Sequence, residues 1–265
     1  MGFLKRIRRE RILETGLIGD GEWKALLEDH PIFDGLPAED GTSLRELSTL
    51  FLHEKVFESP GDLELTPYRK AVIAAQASLP LLGLGPDWYR NWKTVVVVPD
   101  VFVDGNTEHD RAGVVHEWEE DRSGEAWEQG PVVVSWEDVE ASGWGDGYNV
   151  IIHEAAHVLD MQDGGLNGIP DLHEDMDQGE WKSAFAAAFQ DLKLRAGRAK
   201  KRGKRRLPID EYATESDCEF FAVSCEYFFE RPRVLRGEYP DVYRLMARFF
   251  RRDPAERLGS STRPR

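Results

Sequence analysis

The stretch YNVIIHEAAHVL occupies residues 148–159 and follows the 3.6-residue repeat of a buried helix. It contains His153 and His157, four positions apart, with Glu154 directly after the first histidine. Residues four apart share one face of a helix, so the two imidazoles are expected to point the same way. Gly164-Gly165 follows and indicates that the helix ends before it. A helix carrying a His-Glu-x-x-His motif is therefore predicted.

This motif predicts a metal site. Two imidazoles at this spacing can hold one Zn²⁺ through ring nitrogens at about 2.0–2.1 Å. Glu154 is then placed to act as a general base on the attacking water. The alternative is a pair of structural histidines, but the apolar lead-in and the glycine exit favour a metal site. A catalytic zinc ion has three protein ligands and one open position, so a third ligand must come from elsewhere.

A carboxylate is the expected third ligand, because the five other histidines lack the spacing of a histidine ligand. Glu219 begins an apolar helical stretch, Glu219–Val223, where an unpaired charge would be costly and needs a counter-ion. It could instead be a solvated first-turn residue favoured by the helix dipole, and the residues alone leave both readings open. Asp160, two turns after His153, is a candidate to orient the second ring nitrogen of that histidine, or a plain surface acid.

Composition limits the class of protein. The 265 residues suit one large domain or two small ones, and 41% hydrophobic with 31% charged residues excludes a disordered chain. No apolar run approaches the roughly 18 residues of a membrane span. The net charge of −15 makes nucleic acid an unlikely partner. Cys218 and Cys225 are about 10 Å apart along a predicted helix, beyond disulfide reach, so a cytoplasmic location is expected.

The predicted elements are helices, then a small sheet, then helices. Helices are predicted from Thr42, from Thr66-Pro67, and over Trp181–Leu194, Glu219–Phe229 and Val242–Phe249. Strands are predicted at Trp92–Val98, Val114–Trp118 and Pro131–Trp136. Because the strands cluster rather than alternate with helices, the expected fold class is α+β with a small mixed sheet. Pro131–Trp136 is either a plain sheet strand or an edge that receives an extended peptide.

Charge and periodicity also suggest domain boundaries. Residues 1–20 are expected to be a basic N-terminal segment, followed by one domain over 21–252 and a flexible tail over 253–265. Arg195–Arg206 carries eight Lys or Arg residues and no acid. We interpret this run as a solvated loop, with a docking patch for an acidic partner or nucleic acid as the alternative.

Two segments carry a family resemblance. His153–Met161 and Tyr212–Val223 resemble the zinc peptidases of the Mlc titration factor A family, whose catalytic core is similar to that of anthrax lethal factor. The likeness extends over roughly residues 20–250 and includes Ala74–Leu82, Asp87–Tyr89 and Asn167–Pro170. It implies a zincin-like domain in which Glu219 completes the metal site. It also implies that Tyr212, seven residues earlier, stabilises the transition state.

The resemblance implies a zinc-dependent peptidase acting on small peptides or exposed termini, with aminopeptidase activity as one form. Members of the family are implicated in binding Mlc, a transcriptional repressor, so an Mlc-like repressor is an expected partner. The alternative is a non-catalytic protein that sequesters such a repressor and uses zinc structurally. A structural zinc site normally has four protein ligands, which favours the enzyme. No membrane is expected as a partner.

Overall fold

The computed structural model describes residues 3–99, 130–202 and 207–257. The chain divides into two compact units, residues 1–140 and 141–265. The strand predicted at Val114–Trp118 lies outside the described residues, as does residue 258 onward in the predicted tail. A single domain over 21–252 stays a prediction.

The first unit contains helices and three short strands. Its helices are α1 (Phe3–Thr15), α2 (Asp20–Asp29), α3 (Ala38–Glu54), α4 (Pro67–Ser78) and α5 (Leu81–Leu84), and α6 (Trp136–Ala141) begins at its end. The helix predicted near Thr66-Pro67 is confirmed as α4, because Thr66 accepts a hydrogen bond from the Arg69 N–H and Pro67 occupies the first turn. The helix predicted from Thr42 begins earlier, at Ala38.

The strands are β1 (Val56–Glu58), β2 (Thr94–Val98) and β3 (Val132–Ser135). They lie in the order β1-β2-β3, and both pairs are parallel, with Val56 opposite Thr94 and Val95 opposite Val132. The described strands thus differ from the mixed sheet that was expected. β3 ends one residue earlier than predicted because the Ser135 side chain accepts a hydrogen bond from the Asp138 N–H and so begins α6.

The basic N-terminal segment forms α1, a helix that the sequence pattern did not indicate. The Arg9 guanidinium is buried and binds both carboxylate oxygens of Glu54, at 2.6 and 3.0 Å. It also lies 3.0 Å from Asp87, which accepts a hydrogen bond from Lys5 as well. Lys5 and Arg9 of α1 therefore pair with acids about 45 and 80 residues away, a pairing that local periodicity does not reveal.

The second unit is helical in the part that the structure describes. Its helices are α7 (Val150–Asp160), α8 (Gln178–Arg202), α9 (Asp217–Glu230), α10 (Pro232–Glu238), α11 (Pro240–Phe250) and α12 (Pro254–Arg257). The core is rich in aromatic rings, with Trp181 stacked on Phe185 at 4.3 Å between centroids and Phe221 fully buried beside them. This packing fixes α8 against α9, and α9 in turn packs against α7, the helix that carries the motif.

The basic run differs from the predicted loop, because α8 continues through Arg202. Lys, Arg and Ala are good helix formers, which favours this extension. Arg195 also forms an ion pair with Asp191, one turn earlier, at 2.6 Å, and another with Glu238 of α10 at 2.9 Å. Residues 203–206 lie outside the described residues.

The predicted α+β class is confirmed, with most of the described chain helical and one small sheet. Cys218 and Cys225 are both free thiols, as their predicted spacing required. Among the described helices, none combines the length and the apolar character that crossing a membrane demands.

Candidate metal centre

Helix α7, which carries the His-Glu-x-x-His motif, is fully buried. The Asn149 side chain caps the helix by accepting a hydrogen bond from the Ile152 N–H at 3.0 Å. Every residue from Val150 to Asp160 is buried, including His153, Glu154 and His157. The cap and the burial together fix the direction in which the two imidazoles point.

Helix α9 brings Glu219 to the same place. Ser216 caps α9 by accepting a hydrogen bond from the Glu219 N–H at 3.2 Å. Such an arrangement often lets the glutamate reach back to the cap residue. Here the carboxylate faces the imidazoles instead, and only 8% of Glu219 is exposed. This geometry differs from that of a solvated first-turn residue.

Three ligand-type groups converge. The Nε2 atoms of His153 and His157 are 3.1 Å apart. Glu219 places Oε2 3.0 Å from His153 Nε2 and Oε1 3.4 Å from His157 Nε2. A tetrahedral zinc ion with bonds of 2.0–2.1 Å separates its nitrogen and oxygen ligands by about 3.3 Å. The spacing and the chemistry of these three groups therefore fit a divalent metal ion.

The charges at this point favour a cation as well. Burial lowers the pKa of His153, but hydrogen bonds with Glu219 and Glu226 outweigh it and raise the pKa well above the usual value. Burial raises the pKa of Glu219, yet its hydrogen bonds to both imidazoles dominate and hold the pKa well below the usual range. The carboxylates of Glu219 and Glu226 thus stabilise positive charge at the imidazoles, and a divalent cation bound there would supply the same positive charge.

Glu154 lies beside this group. Its carboxylate and the ring nitrogens of His153 and His157 all lie within 4.8 Å of one another. Glu154 is 5% exposed. A carboxylate at this distance can reach a water molecule held between it and a metal ion, which is the position that a general base requires.

Tyr212 approaches from a 3-10 helix, Glu211–Thr214, that precedes α9. Its ring centroid is 5.9 Å from that of His153, with 43° between the planes. The Asp210 carboxylate begins this short helix by accepting a hydrogen bond from the Tyr212 N–H at 2.8 Å. The structure thus brings all five residues named for the metal site and the catalysis to one location.

Glu226 is a further site residue that the sequence interpretation missed. Its Oε1 lies 2.9 Å from His153 Nδ1, and its Oε2 accepts a hydrogen bond from the Asn149 N–H at 2.6 Å. When Nε2 of a histidine binds a metal, Nδ1 carries the proton and donates it to such a partner. Glu226 therefore orients His153, the role that the sequence assigned to Asp160. The available signal was a second acid on the apolar helix α9, two turns after Glu219.

Asp160 contacts a loop rather than His153. Its carboxylate accepts hydrogen bonds from the N–H groups of Asn167, Gly168 and Ile169 at 2.8–2.9 Å. Burial raises the pKa of Asp160 to about 6. Asp160 thus fixes the loop that follows α7.

That loop lies against the first turn of α9. Gly168 has a φ of +75°, and a Cβ there would lie 2.6 Å from the Asp217 carbonyl oxygen. The Gly168 carbonyl accepts a hydrogen bond from the Trp181 indole at 2.9 Å. The loop that Asp160 holds therefore lies against the first turn of α9, two residues before Glu219, the third candidate ligand.

A second buried acid extends the polar network from Glu226. Glu230, one turn later on α9, accepts hydrogen bonds from the Asn149 side-chain amide at 2.9 Å and from the Gly145 N–H at 2.5 Å. Burial raises the pKa of Glu230 to about 7. Asn149 consequently contacts Glu226 and Glu230 of α9 while it caps α7.

Comparison with known proteins agrees with this site. Residues 4–251 match the model of the family described as glucose-regulated metallo-peptidase M90. Proteins named Mlc titration factor A from Yersinia pestis (strain Pestoides F) and Yersinia pseudotuberculosis (serotype O:1b, strain IP 31758) are each 34% identical over 229 residues. The alignment covers 86% of this chain and 83% of each relative, and it confirms the resemblance found in the motifs. The chain therefore belongs to the glucose-regulated metallo-peptidase family M90.

Proposed function

We propose that this protein is a zinc-dependent peptidase, with a zincin-like domain over residues 21–252, that hydrolyses small peptides or exposed chain termini. The observation that supports this most is the convergence of His153, His157 and Glu219 at 3.0–3.4 Å with Glu154 beside them. Three protein ligands leave one position open, as catalytic zinc requires.

The roles of the side chains follow from their positions. A bound Zn²⁺ would activate a water molecule and polarise the scissile carbonyl. Glu154 accepts the proton of the attacking water and passes it to the leaving amine. The Tyr212 phenol donates a hydrogen bond to the oxygen on which negative charge develops. Glu226 holds His153 in the tautomer whose Nε2 faces the site.

Aminopeptidase activity in the cytoplasm is the specific form that we propose. Two free thiols suit a reducing compartment. β3 is an end strand of the described sheet, which fits backbone pairing with an extended peptide. Peptide substrates with a free N-terminus, compared with the same peptides acetylated there, test the preference. Equal hydrolysis of both would contradict an aminopeptidase.

Substitution of Glu154 tests the mechanism. We expect Glu154→Gln to retain about one zinc ion per chain and to lose turnover by roughly 10²–10⁴-fold, because the ligands remain and the base is gone. Metal analysis and a peptidase assay on the same preparation give both values. A variant as active as the wild type would overturn the mechanism.

Two comparisons establish whether the metal site is the predicted one. Glu219→Gln should lose zinc, whereas Glu215→Gln, the same change at an exposed position four residues earlier, should keep it. Chelation of the wild type should lower its melting temperature by several degrees, since a ligand that binds the folded state adds stability by mass action. Equal zinc content in both variants would place the metal elsewhere.

Binding of a repressor is the second candidate function, supported by the name of the two relatives, Mlc titration factor A. A purified Mlc-like repressor should form a complex with the wild type and with Glu154→Gln alike if binding does not involve cleavage. If the zinc-loaded wild type hydrolyses no peptide yet forms this complex, the protein sequesters a repressor and is not a peptidase.

A further inference from the structure

The Cys218 thiol lies beside the candidate metal centre. Its Sγ, a ring nitrogen of His157 and a carboxylate oxygen of Glu219 all lie within 4.8 Å of one another. The thiol donates to Glu219 Oε1 at 3.9 Å, and the same oxygen is 3.4 Å from His157 Nε2. Cys218 is therefore part of a cluster of ligand-type groups rather than an isolated cysteine.

The distance between the sulfur and the Glu219 oxygen is close to that of two ligands on one metal ion. Zinc binds thiolate sulfur at about 2.3 Å and carboxylate oxygen at about 2.0–2.2 Å, which separates the two ligand atoms by about 3.5 Å in a tetrahedral site. The observed 3.9 Å is within a small side-chain movement of that value. The Ser216 hydroxyl also contacts the thiol, at 3.0 Å, and it caps α9.

We propose that Cys218 is a fourth, exchangeable protein ligand that occupies the open position of the metal centre. With this thiolate the centre prefers thiophilic cations such as Zn²⁺, Co²⁺ and Cd²⁺. The inference rests on the metal site of the proposed function. When the thiol binds, its proton passes to solvent and the thiolate takes the place of water. The centre then exists in an open form with three protein ligands and a closed form with four.

This exchange would make the peptidase latent and sensitive to thiol reagents. The open form leaves room for the water that Glu154 needs, and the closed form does not. Cys225 provides an internal comparison, because its thiol is also free but fully buried and seven residues further along α9. If Cys218 binds the metal, its loss should change the metal site, whereas the loss of Cys225 from the same helix should not.

Cobalt spectroscopy tests the proposal on the full chain without an activity measurement. The wild type, Cys218→Ser and Cys225→Ser are each loaded with Co²⁺. We expect visible d–d absorption from all three, since His153, His157 and Glu219 remain. A near-ultraviolet thiolate-to-cobalt band is expected from the wild type and Cys225→Ser, and its loss from Cys218→Ser.

The outcomes separate the two proposals. Visible absorption without a near-ultraviolet band in the wild type overturns ligation by Cys218 and leaves the peptidase proposal intact. Absence of both bands from all three proteins overturns the metal centre itself. A near-ultraviolet band that persists in Cys218→Ser also overturns the assignment.

Metal preference gives an independent measurement. We expect the affinity for Cd²⁺ to fall roughly ten-fold or more in Cys218→Ser, while the affinity for Mn²⁺, which prefers oxygen and nitrogen ligands, stays unchanged. Bound Cd²⁺ should also slow alkylation of Cys218 by iodoacetamide in the wild type. Equal cadmium affinity of the two proteins, or equal alkylation with and without cadmium, would contradict the proposal.

Discussion

Glu226 holds His153 from the side opposite the candidate metal centre, with its Oε1 2.9 Å from Nδ1 of the imidazole. The carboxylate accepts at both oxygens, since the Asn149 N–H occupies the other. An amide at this position could accept only one of the two hydrogen bonds and would turn an N–H group toward the second donor.

We therefore expect Glu226→Gln to weaken metal affinity by about 10–100-fold, the usual effect of removing the partner of a metal-binding histidine. Competition with a chromophoric chelator measures this affinity. Glu238→Gln is the matched control, because that exposed carboxylate pairs with Arg195 on the surface. An affinity unchanged in Glu226→Gln would show that His153 does not depend on this partner.

Tyr212→Phe should lower kcat by about 10²–10³-fold and leave KM and zinc content nearly unchanged, because it removes only the hydroxyl that we propose as the donor to the developing oxyanion. Steady-state kinetics with a peptide substrate measure both constants. Tyr68→Phe is the control, since the Tyr68 hydroxyl donates to Asp29 at 2.7 Å. Equal kcat values for the two variants would remove Tyr212 from the mechanism.

Glu230 should make stability depend on pH. Burial raises its folded-state pKa to about 7, so the folded chain binds this proton more tightly than the unfolded chain. Its contribution to the free energy of unfolding is fully present below about pH 4.5 and is lost as the pH rises through 7, on the order of 3 kcal/mol.

Urea unfolding of the chelated protein at pH 5 and pH 8 measures this effect. The wild type should lose more stability between the two values than Glu230→Gln, whose amide does not ionise. Glu238→Gln, which removes an exposed acid, should lose as much stability between the two pH values as the wild type does. A wild type that loses no more stability than Glu230→Gln would contradict the prediction.

A side chain at position 147, where the chain has Gly147, should destabilise the folded protein. Its φ is +100°, and a Cβ would lie 2.7 Å from the ring of Tyr227. We expect Gly147→Ala to lower the free energy of unfolding by roughly 1–3 kcal/mol for the backbone strain, with a further loss from the collision. Gly145→Ala is the control, because its φ of +74° carries similar strain but its Cβ would meet nothing within 4 Å. Equal losses in urea unfolding would mean that the Tyr227 ring moves aside freely.

The local sequence pattern was sufficient to predict helix α7. The periodicity and the glycine exit predicted a helix over 148–159, and the structure has it at Val150–Asp160. Because a four-residue spacing fixes two imidazoles on one face, their proximity followed from the sequence alone. Glu219 is different. It lies 62 residues beyond His157. The cost of burying its charge made it a candidate ligand but left a solvated position open, and the family resemblance decided between the two.

The features that the sequence did not predict depend on contacts between distant segments. Arg9 is buried in α1 because Glu54 and Asp87 neutralise it. The basic end of α8 stays helical where Arg195 reaches Asp191 and Glu238. Glu226 was predictable in principle, since the cost of burying a charge that singled out Glu219 applies equally to a second acid on the same apolar helix.

Asn149 sets the register between two helices. One residue caps α7, donates its backbone N–H to Glu226 and donates its side-chain amide to Glu230. A slip of α7 by a single residue along its axis, 1.5 Å, would break these bonds together and carry the His153 imidazole away from Glu219. The first turn of α7 therefore permits one alignment of the two helices, and that alignment brings the ligand atoms of His153, His157 and Glu219 to the spacing that a divalent cation requires.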